Sequence, residues 1–101
     1  MTKTKCPLTE IMSFFNKKWV LIILFQLSLN DPRRFNELEH LIDGINSRIL
    51  AQRLKEMEEI KIINRTSFNE TPPRVEYALT QKGKELLKCF NYLGNWATKW
   101  K

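Results

Sequence analysis

The stretch from Arg33 to Ile60, RRFNELEHLIDGINSRILAQRLKEMEEI, limits the possible folds more than any other part of the chain. It reads as two helices joined by a tight turn at Asp43-Gly44. In the second helix Ile49, Leu50, Leu54, Met57 and Ile60 fall on one side at a period of 3.6 residues. Arg48, Ala51, Gln52 and Lys55 fall on the other, a face without acids that carries donors on short or flexible stems. Guanidinium and carboxamide groups on such a face match the edges of guanine and adenine in a major groove. The second helix is therefore expected to recognise DNA, and the rest of the chain to mount it.

The bulk numbers agree with that expectation without proving it. Seventeen Lys and Arg against 11 Asp and Glu give a net charge of +6, which favours polyanions through phosphate contacts and counterion release. The 101 residues suit one domain, 1–101, with a limited core. The most apolar run, Trp19 to Leu29, is about half the length a bilayer span requires. The N-terminus lacks the apolar region of a secretory signal, so a cytoplasmic protein without a membrane role is expected. Cys6 and Cys89 are too few and too scattered for a disulfide scaffold or a zinc site. His40 is the only histidine, so neither a histidine metal cluster nor a triad can be built, and no cofactor is expected. Glu58 and Glu59 are sequence neighbours that point apart and form no acid–base pair. Enzyme activity is not expected.

Taken in order, residues 1–6 read as a short, mobile polar lead. Pro7 suits the first position of a helix, where its missing N–H costs nothing. Leu8, Ile11, Met12, Phe14 and Phe15 give that helix a broad apolar face, part of which is expected to meet another chain. Trp19 to Leu29 is apolar nearly all round, the pattern of a central buried helix. After Asn30-Asp31-Pro32, Arg33 to Phe35 is expected to be briefly extended. Asn36 should then start a helix with Glu39 in a capping box, and Asp43-Gly44 should end it. Asn46 is placed to cap the recognition helix, at about 47–59. Past Glu59 the period drops to two: Ile62, Ile63, Thr66 and Phe68, then Val75, Tyr77 and Leu79, flank the turn-forming Asn69-Glu70-Thr71-Pro72-Pro73. From Thr80 the chain is helical, with Leu86, Phe90, Leu93, Trp96 and Trp100 in one stripe. Little chain remains to cover that stripe, which makes it a dimerisation signal. The fold class is mainly α with a small β-hairpin, in the order of a winged helix–turn–helix.

Several pieces together resemble one family: Cys6-Pro7, Lys18-Trp19, RRFNEL (33–38), Gly44-Ile45, LAQRLKEMEE (50–59), PPRVEYALT (72–80) and Lys82-Gly83. In order and spacing, over nearly the full length, the chain is similar to HxlR-type, MarR-like winged-helix transcriptional regulators. The resemblance implies a homodimer on double-stranded operator DNA, with each recognition helix in a major groove and each wing (about 68–74) on flanking DNA. The terminal helices would form the dimer, through Leu8, Ile11, Phe14, Leu86, Phe90, Leu93, Trp96 and Trp100. In some members the cysteine matching Cys6 senses oxidants or electrophiles, so an oxidant or small-molecule effector belongs to the expectation. The chain departs from the family in three places. Asn16-Lys17 stand where glycines are usual, Ile60-Lys61 replace a glycine turn, and Ala51 replaces a frequent hydroxyl residue.

Each candidate site residue carries two readings. Ser47, Arg48, Ala51, Gln52 and Lys55 form either the groove-reading face or a plain solvated helix face. Gln52 suits adenine, Arg48 suits guanine or a phosphate, and Lys55 suits a phosphate. Arg34 and Arg74 flank the same surface and read as phosphate contacts or as surface ion pairs. Asn69 and Thr71 at the wing tip suit the backbone or minor groove, while Glu70 beside them would repel phosphate. Arg53 lies on the apolar side and is assigned a structural ion pair. Cys6, at a helix N-terminus where the dipole favours thiolate, is either a sensor or inert. Cys89 is expected only to pack. The rival to a DNA regulator is a winged-helix module for a protein or RNA partner.

Overall fold

A computed structural model describes residues 6–100. Apart from Cys6, the polar lead expected at the N-terminus lies outside the described residues. Helix α1 (Pro7–Phe15) and helix α2 (Val20–Leu29) lead to the two-residue strand β1 (Arg33–Arg34). Helices α3 (Phe35–Leu41) and α4 (Ser47–Glu59) form the helix–turn–helix, and β2 (Ile63–Phe68) with β3 (Arg74–Leu79) the wing. Helix α5 (Gln81–Lys99) follows. The expected order of elements is the observed one, and Arg33–Arg34 adds an edge strand to the hairpin. The antiparallel sheet runs β1-β3-β2, with Arg33 opposite Tyr77 and Ile63 opposite Leu79.

The core gathers Val20, Ile23, Leu24 and Leu27 of α2, Leu38 of α3, and Leu50, Leu54 and Met57 of α4. Ile63, Tyr77 and Leu79 close it from the sheet. Helix α2 is not buried all round, as its sequence suggested. Leu21, Ile22, Phe25 and Leu29 form a stripe open to solvent. The other described elements cover only one side of α2.

The helix ends follow simple capping rules, with two changes of detail. The Asn46 side chain accepts from the Ile49 N–H at 2.8 Å and starts α4 as expected. The cap of α3 falls two residues early, at Arg34 instead of Asn36, so the helix starts at Phe35 and its capping acid is Glu37 instead of Glu39. The Glu37 carboxylate accepts from the Arg34 N–H at 2.9 Å, because Arg34 is the cap residue and Glu37 lies three positions on. Gly44 takes the left-handed turn between α3 and α4, with φ +86°. Trp19 caps α2 at φ +84°, a geometry the sequence did not announce.

The junction between α4 and the wing shows how the missing glycine is absorbed. Lys61 adopts φ +68°, so the left-handed turn persists with a side chain in it. Three consecutive carbonyls of this turn accept from the start of α5. Lys82 Nζ reaches the Ile60 oxygen at 2.7 Å, the Thr80 hydroxyl the Lys61 oxygen at 2.6 Å, and the Thr80 N–H the Ile62 oxygen at 3.1 Å. The same hydroxyl accepts from the Gly83 N–H at 3.0 Å and so caps α5. Gly83 is buried here because a Cβ at this position would run into the Ile62 carbonyl. Gly83→Ala is therefore expected to destabilise the protein by about 1–3 kcal/mol, the usual cost of overpacking, despite alanine's better helix propensity. Urea denaturation measures this, and a stability at or above wild type would mean that the contact relaxes freely.

Candidate nucleic-acid interface

The recognition face forms as the periodicity requires. Leu50, Leu54 and Met57 anchor α4 in the core, which leaves Ser47, Arg48, Ala51, Gln52 and Lys55 exposed along the opposite side. Arg53 stays out of this face, as expected. Its Nη1 meets Glu56 at 3.1 Å, and its Nε donates to the Lys18 carbonyl at 2.9 Å, tying α4 to the turn before α2. Lys17 adds a second contact to Glu56 at 3.4 Å.

Between α4, β1 and the hairpin lies a cleft of about 720 Å³. It brings together four of the expected residues: Arg34, Ala51, Lys55 and Arg74. Ser47, Arg48 and Gln52 line the exposed helix face instead, and Asn69 and Thr71 sit exposed in the hairpin loop. Two further polar groups of the cleft, Arg65 and Asn36, were missed from sequence. A period of two locates the first of them. Arg65 lies two positions beyond the buried Ile63, on the hairpin face that turns toward α4, opposite Tyr77 in register. Glu58 and Glu70 line the same cleft, so its charge is partly neutralised from within.

Arg74 is the least available of the expected contacts. Its guanidinium lies over the Phe68 ring at 4.0 Å, with Nη2 at 3.1 Å from Glu70 and Nε at 3.4 Å from Glu76. Glu76 also faces Arg34 Nε at 3.9 Å. Arg34 keeps most of its side chain in solvent, whereas Arg74 is half-buried. The ion-pair reading thus holds for Arg74 in the free protein.

Cys6 occupies the cap position of α1, just before Pro7, and is fully exposed. The backbone N–H of Thr9, then that of Leu8 and the Thr9 hydroxyl, hold its thiol below the ordinary range, outweighing desolvation. Cys89 does not pack in the interior as expected. It is exposed on α5, because it falls one position away from the half-buried Phe90, whose ring meets Phe15 at 5.0 Å.

Of the apolar residues expected at a dimer interface, Leu8, Leu93, Trp96 and Trp100 stand free, with Trp96 57% and Trp100 67% exposed. Ile11, Phe14, Leu86 and Phe90 instead pack partly against the protomer's own core. The inner half of that stripe is thus already used within one chain.

These positions set a test of the cleft. Gln52→Ala should cost discrimination at one base pair, about 1–3 kcal/mol, while sparing binding to unrelated duplex. Arg65→Ala should weaken binding to every sequence alike and lower the salt dependence by about one ion. Fluorescence anisotropy titrations across a salt series separate the two, and sequence-selective loss in Arg65→Ala would assign it a base contact instead.

Comparison with known proteins gives the geometry its context. The family described as HxlR-like helix–turn–helix matches residues 14–101. YvaP of Bacillus subtilis, an HTH-type transcriptional regulator, is 42% identical over 96 residues, which span 94% of this chain and 88% of YvaP. The reduced form of the transcriptional regulator YodB from Bacillus subtilis superposes with a TM-score of 0.80 at 38% identity, covering 93% of this chain and 92% of YodB. A MarR-family protein from Enterococcus faecalis gives a TM-score of 0.84 at 38% identity, covering 98% and 92%. With a helix–turn–helix, a wing and a family match over most of its length, the chain belongs to the HxlR-like helix–turn–helix transcriptional regulators.

Proposed function

We propose that the protein is a homodimeric, cytoplasmic, sequence-specific DNA-binding regulator that reads operator half-sites with α4 and flanking backbone with the wing. One observation carries this reading: the acid-free exposed face of α4, Ser47 to Lys55, runs into a cleft walled by Arg34, Lys55 and Arg65. Guanidinium and carboxamide groups in the groove supply specificity, and the cleft cations supply salt-dependent affinity. In this reading Leu8, Leu93, Trp96 and Trp100 carry the dimer contact, with Ile11, Phe14, Leu86 and Phe90 supporting it from beneath.

The deciding experiment is binding to the DNA upstream of the protein's own gene against scrambled duplex, across a salt series. A preference of about a hundredfold or more, with steep salt dependence, is the expected result. Equal, weak binding to both would reduce the claim to a winged-helix module for another partner. The double variant Leu93→Glu/Trp96→Glu should sediment as a monomer and bind the upstream DNA more weakly. A dimer at wild-type affinity would place the interface elsewhere.

A second reading, thiol control, is favoured by the lowered pKa of the exposed Cys6. YodB, to which the chain is similar, is solved in both reduced and diamide-treated forms. A lowered pKa means that the thiolate is already populated at a pH where an ordinary thiol stays protonated. Alkylation of Cys6 should therefore reach half its maximal rate at a lower pH than alkylation of an unperturbed cysteine in a short peptide. Cys6→Ser should keep basal DNA binding and lose any response to diamide. An unchanged response in that variant would remove Cys6 from the mechanism.

A further inference from the structure

The ion pairs on the wing have a chemistry beyond holding the hairpin. Arg74 has two carboxylate partners of different character. Glu76 lies on β3, is mostly covered, and is shared with Arg34. Glu70 lies in the loop between β2 and β3, is 47% exposed, and pairs with Arg74 at 3.1 Å across four residues. The Phe68 ring supports the guanidinium from beneath at 4.0 Å. Without Glu70 the guanidinium keeps the Phe68 ring and the nearby Glu76 charge at 3.4 Å, although its buried Nε makes no hydrogen bond. A planar fork of N–H donors accepts carboxylate and phosphate oxygens in the same geometry.

We propose that Glu70 is the resident anion of a phosphate-binding position on the wing, and that a backbone phosphate of duplex DNA displaces it from Arg74. The proposal rests on the DNA-binding reading above and adds a competition within the site. Glu70 and Arg74 line the cleft that also holds Arg34, Lys55 and Arg65, so with Glu70 displaced a phosphate meets a lining of four cations against the one acid Glu58. The exchange is feasible because a pair this exposed is weak, while a phosphate in the cleft meets several cations at once. The swung-out carboxylate returns to water, and Arg74 keeps its stacking and its contact with Glu76. In the free protein the same pairing lowers the affinity of the wing for any polyanion.

The test is a double-mutant cycle on the intact protein, with Glu70→Gln, Arg74→Gln and the combination, titrated with duplex carrying the upstream sequence. Glu70→Gln should bind about two- to fivefold tighter than wild type, the range released by one exposed pair. In the Arg74→Gln background the gain should vanish, and the salt slope should fall by about 0.9, one phosphate contact. An equal gain in both backgrounds overturns the proposal, since it marks simple relief of long-range repulsion. No gain in either overturns it too, because Glu70 is then not in the way of DNA. Arg74→Lys guards against collapse of the wing in the glutamine variant. It keeps the charge, so Glu70→Gln must still raise affinity in that background, and failure to do so counts against exchange. If wild type and every variant leave duplex unbound, the DNA reading falls and takes the exchange with it. If all bind and only the coupling is missing, the DNA reading stands alone.

Discussion

The reading surface depends on one turn, Ile60 to Ile62, and on the clamp that α5 closes around it. Three successive carbonyls there accept from Lys82 and Thr80, so the end of α4 and the start of β2 are set by groups that belong to the terminal helix. The angle between recognition helix and wing, and with it the width of the cleft, follows from that clamp. Lys61 holds a left-handed conformation that costs a side-chain-bearing residue about 1–2 kcal/mol. The hydrogen bonds from α5 are what offset it. Gly83 makes them possible by letting the helix approach to the distance at which the Thr80 amide and hydroxyl reach the turn.

The helix that carries the clamp, α5, runs on to an uncovered far end. Its outer residues, Leu93, Trp96 and Trp100, are exposed, and so is the α2 stripe from Leu21 to Leu29. Among the described residues, nothing covers these faces of the two helices. Apolar surface of this kind is costly in water and is normally covered by association. The same helix carries Thr80 and Lys82 against the turn that follows α4.

Most of this architecture was legible in the sequence, for a definite reason. Alternation and the 3.6-residue period report which side of an element faces the core, and α4 and the hairpin strands were read from that, with the turn-forming residues 69–73 and the capping Asn46 marking their ends. What escaped was information that depends on neighbours. Helix α2 has no polar side, so its sequence cannot say that one face lacks a cover. Arg65 belongs to the cleft only because its strand partner Tyr77 and the helix α4 stand where they do. The choice of Glu37 over Glu39 as the capping acid hung on where the cap falls, at Arg34 or two residues on at Asn36. The left-handed Lys61 ran against local preference, and the hydrogen bonds that close the turn onto α4 and those from α5 hold it.

The distribution of acids explains how affinity and discrimination divide. On α4 the exposed residues from Ser47 to Lys55 include no acid, so nothing internal competes with a base edge. In the cleft, Glu58 and Glu70 sit among Arg34, Lys55, Arg65 and Arg74, so a phosphate must compete with carboxylates already in place. In the proposed reading, backbone contacts are thus weakened while base contacts are left whole. Phosphate contacts are the same on every sequence, and base contacts are not. Discounting only the first lowers the affinity for all DNA by a common factor. The energy that distinguishes one site from another then makes up a larger share of what remains.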